Sequence, residues 1–565
     1  MAKKLVPIDY TSADFDKIKR DLINYAKKYY PNTYKDFNEV SFGSLMTDLV
    51  SYVGDNLSFY LDYNANESFL NTSLEYDNVI SHAQQLGYRH SPVRSSVGHI
   101  DIYMPVPADN INVAPNSDYL PKMKAGASFA TPDGNIYTLV DDVEFYSENV
   151  EVLGDEVSTD GSKTTYYILK TKGKVISGEN KQTTVEVGDF KRFLKVKIPG
   201  ANISEIVSVF DTSGNQYYEV EYLSQNVVYR PLINRDQSTV RSDAPSIIKP
   251  YPVPRRFVVD RKGQDLFLVF GYGSDAEIKT EKVADPSEVV LDILGKNYVS
   301  NTNFDPSKLM TTDKFGVAPV NTDLVVTFRV NNIIRNIEVF NEEPINGDIT
   351  VPATEEIKRR AAGVFATQKR AVTLQDYVSS TYAMPANFGA IKRAAIYRDD
   401  NDLTRNMNMY VISEDVDAKL EKSSTAVKEN LKTWLNSIRM VNDSVDIFDS
   451  KIINLGIDFE ILAKQDVSIS AAFNLAKEEI YEQMTKISPE IGEPFQITEI
   501  FRILKEVPEV LDVVDIKITT KIGSNYSGFS YNLEDNMSPE GRVLYIPHDC
   551  IWEIKYKNDI TGTVR

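Results

Sequence analysis

The sequence predicts an α+β multidomain protein, with an N-terminal helical segment, a β-rich middle domain, C-terminal small α+β modules and a short β-rich tail. Three observations carry this expectation. Residues 1 to about 95 place apolar side chains at helical spacing, the period falls to two from about Val97, and helices and strands alternate after Pro352. At 565 residues the chain is too long for one core. The changes of period divide it into a helical segment over 1–95, a β-rich domain over 96–347, α+β modules over 348–515 and a tail over 516–565.

The first helix is predicted over SADFDKIKRDLINYAKKY, with Phe15, Ile18, Leu22 and Tyr25 on one side, Ser12 as N-cap and Pro31 as stop. The next, around LMTDLVSYVGDNLSFYLD, carries more apolar surface than one core needs. On a helix of 3.6 residues per turn its apolar residues span roughly 200°, against about 100° for an ordinary surface helix. Met46, Val50, Val53, Leu57 and Tyr60 form one seam of 4-3-4-3 spacing; Leu45, Leu49, Tyr52, Asn56 and Phe59 form a second beside it. Such a helix is expected to be gripped from two sides in a bundle. Asp48, Asp55 and Asp62 fall on the narrow remaining edge, about 10 Å apart along the axis, too far for a carboxylate pair in glycoside hydrolysis. They are expected to face solvent. A third helix over Leu74, Val79, Ala83 and Leu86 ends at Gly87.

Ile100, Ile102 and Met104 alternate with polar residues and open a series of strands that includes YTLVDDVEFYS, TTYYILKTKG, RFLKVKIPG, DLFLVFGYG and DLVVTFRVNN. After Pro352, ATEEIKRRAAGVFATQKRAV reads as a helix broken at Gly363, and Thr373 with Asp376 forms a capping box for a second. Arg359, Arg360, Lys369 and Arg370 lie on this predicted hairpin as candidate charges for meeting an acidic neighbour. Strands over IKRAAIY, MNMYVIS and Ile453–Ile461 follow, along with VLDVVDIKITT, interleaved with helices over VKENLKTWLNSI, FNLAKEEIYEQM and ITEIFRILKEV.

The net charge of −19 argues against nucleic acid, since phosphate contacts need concentrated Lys and Arg. One cysteine, Cys550, excludes an internal disulfide. No run approaches the ~18 apolar residues of a membrane span, and MAKKLVPIDYTS has no apolar signal core, so a cytosolic product with protein partners is expected. The four histidines offer no helical i, i+4 metal pair. His548 and Cys550 are the only pair resembling a nucleophile with its base, and a buried structural thiol is the expected reading. FGYG, Phe270–Gly273, lacks the remaining residues of a phosphate loop and is expected to be a tight turn. No catalytic, cofactor or metal site is predicted.

Taken in order, TDLVSYVGDNLSFYLDYNANESFLNTS, LGYRHSPVRSSVG, QKRAVTLQDYVSSTY, NMYVIS, LNSIRMVNDSVDIFDSKIINLGIDFEI and IGEPFQITEIFRIL resemble the J-like baseplate wedge proteins of contractile-tailed bacteriophages. The chain departs from the family at Tyr272, where members often carry an acidic residue in a Phe-Gly-Asp-Gly turn. The resemblance implies a non-enzymatic structural subunit, assembled in the host cytoplasm and located in the virion tail baseplate. It would pair with a second copy of itself and with a helical partner, and its wedges would close into a ring around the hub. A tail-associated carbohydrate-binding or carbohydrate-active protein is the alternative.

Overall fold

The computed structural model describes residues 15–30, 41–90, 95–109, 114–116, 119–131, 136–146, 150–157, 164–200, 202–233, 246–262, 265–274, 314–331, 352–398, 406–415, 418–440, 442–464, 467–486, 489–523 and 525–565. These make the α+β arrangement of N-terminal helices, β-rich middle and mixed C-terminal elements that the change of period predicts. The chain clusters into two units, one of Met1–His90 with Val351–Arg370 and one of Ser91–Thr350 with Ala371–Arg565.

The first unit contains α1 (Phe15–Tyr29), α2 (Phe42–Glu67), α3 (Tyr76–Gln85) and α4 (Thr354–Thr367). The expected Ser12 cap and Pro31 stop lie outside the described residues. Ser41 caps α2 by accepting the Ser44 N–H at 3.2 Å. Val79, Ala83 and Tyr88 pack on Ile357 and Ala361, which draws α4 into this unit although it follows the β-rich middle in sequence. That packing also carries α4 straight through Gly363, where a break was expected. One mid-helix glycine costs only about 1 kcal/mol relative to alanine, less than burying the Ile357 side chain returns.

Among the described residues the second unit holds four main sheets. In the first, β1 (Val97–Pro107), β2 (Ser128–Ala130), β3 (Ile136–Leu139), β4 (Glu151–Val157) and β5 (Thr164–Ser177) run in the order β1-β5-β3-β2, with β4 also on β5. The second has seven strands: β6 (Glu179–Val187), β7 (Lys195–Ile198), β8 (Ile203–Asp211), β9 (Gln216–Glu219), β10 (Arg256–Lys262), β11 (Asp265–Phe270) and β12 (Thr322–Val330). Their order is β6-β12-β8-β9-β10-β11-β7, and Leu324, Val326 and Phe328 alternate into its core. Beyond α5 (Leu374–Tyr382), which carries the expected Thr373–Asp376 capping box, the third sheet joins β13 (Arg393–Arg398), β14 (Asn406–Glu414), β15 (Leu420–Glu421) and β16 (Ser444–Asp449), with α6 (Thr425–Asn436) contributing Val427, Leu431 and Leu435 to its core.

The fourth sheet is built on β17 (Lys451–Ala463), whose Ile453, Leu455, Ile457, Phe459 and Ile461 are all buried as their alternation predicts. α7 (Ile469–Lys486) and α8 (Ile497–Glu506) contribute Ile480, Ile500 and Leu504 to the same core. β18 (Val510–Thr520) pairs with β17 antiparallel, while β19 (Cys550–Glu553) and β20 (Ile560–Val564) pair with it in parallel. The tail residues therefore complete a sheet begun near residue 451.

Candidate partner-docking surface

α2 is turned opposite to an isolated surface helix. Leu45, Met46, Leu49, Val50, Tyr52, Val53, Leu57, Phe59 and Tyr60 are 41–63% exposed, whereas Gly43, Ser44 and Ser51 are buried. The covered side is made of small and polar groups. Ser51 Oγ donates to the Thr47 carbonyl at 2.7 Å, and Thr47 Oγ1 to that of Gly43 at 2.7 Å, so these hydroxyls are satisfied within the helix. At Gly54 a Cβ would stand 3.2 Å from Ile18 Cδ1, which shows how closely α1 lies along this side. Lys19 reaches Asp48 at 2.6 Å.

The aspartate edge is accordingly not the open solvated face that was expected. Asp48 is tied to Lys19, Asp55 is half-buried and Asp62 is 9% exposed. Further along, the buried Glu67 carboxylate accepts from the Leu74 N–H at 2.7 Å and from Asn78 Nδ2 at 2.9 Å, fixing the turn into α3. Burial pushes its pKa up, but the hydrogen bonds from Asn78, Leu74 and Glu75, with nearby Lys358, leave it below the ordinary carboxylate value.

The stripe Ser44, Thr47, Ser51, Gly54, Ser58 repeats at 3-4-3-4 spacing. This was the signal that could have identified the inward side, since small residues let two helix backbones approach. The apolar face belongs to none of the buried cores described above. At roughly 1 kcal/mol for each half-exposed side chain, covering its nine residues would contribute on the order of 10 kcal/mol, comparable to the stability of a whole domain.

The four candidate cations do not form one surface. Arg360 is buried and pairs with Glu356 at 2.5 Å, because it stands one turn beyond Glu356 on the side of α4 that carries Ile357 and Ala361 into the core. The expectation of an outward-facing charge does not hold there. Arg359 is exposed on α4; Lys369 and Arg370 are exposed in the turn after it, where Gln368 and Lys369 adopt φ of 48° and 62°.

The remaining sequence candidates resolve as structure. Cys550 is buried, its thiol pushed up to about 12, chiefly by burial and then by Asp549, while His548 lies against Tyr397 at 4.9 Å between ring centroids. FGYG is an extended strand exit in place of the expected tight turn. Gly271 passes so close to the chain that a Cβ there would collide with the Phe315 and Gly316 carbonyl oxygens. Among the described residues no group of three or more His, Cys, Asp or Glu side chains is placed to hold a metal ion, and no helix is long and apolar enough to cross a membrane.

Among the described residues, α2 carries a large uncovered apolar face. Residues 14–85, which contain α1, α2 and α3, match the family described as bacteriophage baseplate protein, N-terminal domain. That segment is therefore similar to a baseplate N-terminal domain, which supports a structural role in a baseplate. No curated protein matches the chain. Among solved structures, a chain of the anti-feeding prophage baseplate is similar at 10% identity and a TM-score of 0.26, covering 95% of this chain and 90% of that one. A chain of the type VI secretion TssK-TssF-TssG baseplate subcomplex is similar at 8% identity and a TM-score of 0.24, covering 71% and 96%.

Proposed function

We propose that this chain is a non-enzymatic wedge subunit of a contractile-tail baseplate, assembled in the host cytoplasm. α2 pairs there with helices of a second copy and of a smaller helical partner, and the finished wedges close into a ring around the hub. The observation that carries the reading is the uncovered apolar face of α2 within the segment that matches the baseplate N-terminal domain. The pairing scheme itself rests on the resemblance of the wider sequence to J-like wedge proteins. Co-expression with the neighbouring tail genes, followed by native mass measurement, tests it. Val53→Asp with Leu57→Asp should abolish the complex without unfolding the chain, because both positions are exposed in the free protein and a charge in a dry seam costs several kcal/mol. Asp55→Asn should retain it. A complex that survives the double change overturns the bundle.

A further inference from the structure

A second uncovered apolar site lies in the β-rich middle, and it is built from strained backbone. Phe193 and Phe315 occupy φ of 51° and 64°, with Lys314 at 35° beside them, a region that L side chains avoid and that bulky ones enter least. Both rings remain more than a third exposed, and with Tyr272 they form a triad with centroids 5.3, 6.0 and 6.3 Å apart. The three segments are laced by backbone hydrogen bonds: Phe193 N–H to Gly271 O at 3.3 Å, Phe270 N–H to Leu194 O at 3.0 Å and Tyr272 N–H to Lys314 O at 3.2 Å. These bonds hold the three segments that carry the triad side by side. Its rings are tilted by 44–58° to one another, which makes a compact knob in place of the flat platform on which a sugar ring would stack. Lys191, Arg192 and Lys314 stand next to its phenylalanines in sequence, against Asp189 and Asp313, in a chain whose net charge is −19.

The complementary chemistry occurs on the same chain. β18 pairs only with β17 among the described strands, and it exposes Leu511 and Val514, each more than half accessible. Around them stand Glu506, Glu509, Asp512 and Asp515; Glu506 pairs with Arg502 at 2.6 Å, Asp512 with Lys505 at 3.8 Å and Asp515 with Lys517 at 3.5 Å. These pairs are exposed and weak. Asp512 and Asp515 also accept from the Val513 and Ile516 N–H groups at 2.9 Å, which occupies donors that strand addition would need. The edge is thus suited to recognition through side chains: apolar residues inside an acidic rim.

We propose that the aromatic, basic knob around Phe193, Tyr272 and Phe315 docks on the acidic, apolar edge at Leu511–Asp515 of a second copy of this chain. The two patches differ, so the contact is heterologous and propagates from copy to copy. It does not involve α2, and it can fail or hold independently of the wedge bundle.

The test uses the full chain carrying Val53→Asp and Leu57→Asp, so that association through α2 is absent, in sedimentation velocity over a concentration series. In this background the parent should self-associate. Lys191→Glu with Arg192→Glu should abolish that association, and so should Asp512→Lys with Asp515→Lys. Mixing the two reversed proteins should restore it, since each then offers a patch opposite in charge to one on the other. Phe193→Gly should also abolish association, with a melting temperature no lower than the parent's because glycine relieves the positive φ. Absence of self-association in the parent, association unchanged in both reversed proteins, or failure of the mixture to associate would overturn the proposal. Binding of a host polysaccharide that is lost in Phe193→Gly, with no self-association in the parent, would assign the knob to a carbohydrate instead.

Discussion

Glu553 gives the sharpest quantitative expectation. It ends β19, beside the small core of Ile412, Ile491 and Ile551 that joins the third and fourth sheets. Its carboxyl accepts from the Leu420 N–H at 2.8 Å and from Asn454 Nδ2 at 3.1 Å. Burial pushes its pKa up to about 7, against the opposing pull of those hydrogen bonds and of Lys555 and Lys419. Because the folded value lies above the ordinary 4.5, the unfolded chain ionises first as pH rises. The group's contribution is fully present below about pH 4.5, declines through the window up to about pH 7 and is lost above it; the shift amounts to about 3 kcal/mol. Glu553→Gln removes this dependence but turns an amide N–H toward Asn454, at a cost of about 1 kcal/mol. The variant should therefore be less stable than the parent at pH 4, about equal to it near pH 5 and more stable at pH 8. Trp552, buried next to Glu553, reports the unfolding of this core once Trp434 is replaced by Phe, and urea midpoints at a series of pH values give the two curves. Curves that run parallel from pH 5 to 8 would refute the argument.

Three further outcomes are expected. Glu67→Gln should destabilise the first unit by about 1–2 kcal/mol at pH 7 through loss of its charge-assisted hydrogen bonds into the turn before α3, and since its folded pKa is depressed, the parent should lose the same stability as pH falls through the carboxylate range; protection of the α3 amides from hydrogen exchange reads this. Gly271→Ala, whose Cβ meets a main-chain oxygen, should cost about 3 kcal/mol or more and lower the melting temperature of the seven-stranded sheet, whereas Gly214→Ala, with open space around it, should cost only the strain of its φ of 80°. Lys369→Glu with Arg370→Glu should leave wedges intact while weakening closure of the ring, and that closure should weaken with salt, because exposed pairs are screened and apolar seams are not; rings that form normally at every salt concentration would remove both residues from the contact.

Most element types were legible because period is a local property. The alternation from Ile453 to Ile461 predicts a strand, and each of its apolar residues is buried. What period does not encode is which covering neighbour arrives from far along the chain. Gly363 looked like a helix break because α3, which holds α4 together, lies far back in the sequence. The tail looked separate because its partner strand β17 begins about a hundred residues earlier. FGYG looked like a turn because the 314–317 segment that passes beside it is remote.

α2 shows the same limit in its strongest form. Its two faces were readable, but the rule that apolar residues lie inside holds only for a helix whose core belongs to its own chain. Ser51 and Gly54 could not make α2 pack on α1 by hydrophobic gain; they let the backbones approach, and Lys19 with Asp48 fixes the register. Such an interface is small and polar, so it can hold α1 in place while the whole apolar sector stays available. Enlarging Ser51 to Leu should thus loosen α1 without removing a single residue of the exposed face. In the wedge reading, partner capture would then persist while α1 becomes protease-sensitive. Loss of capture with α1 still protected would mean that the small-residue side, and not the apolar one, is the surface that the partner reads.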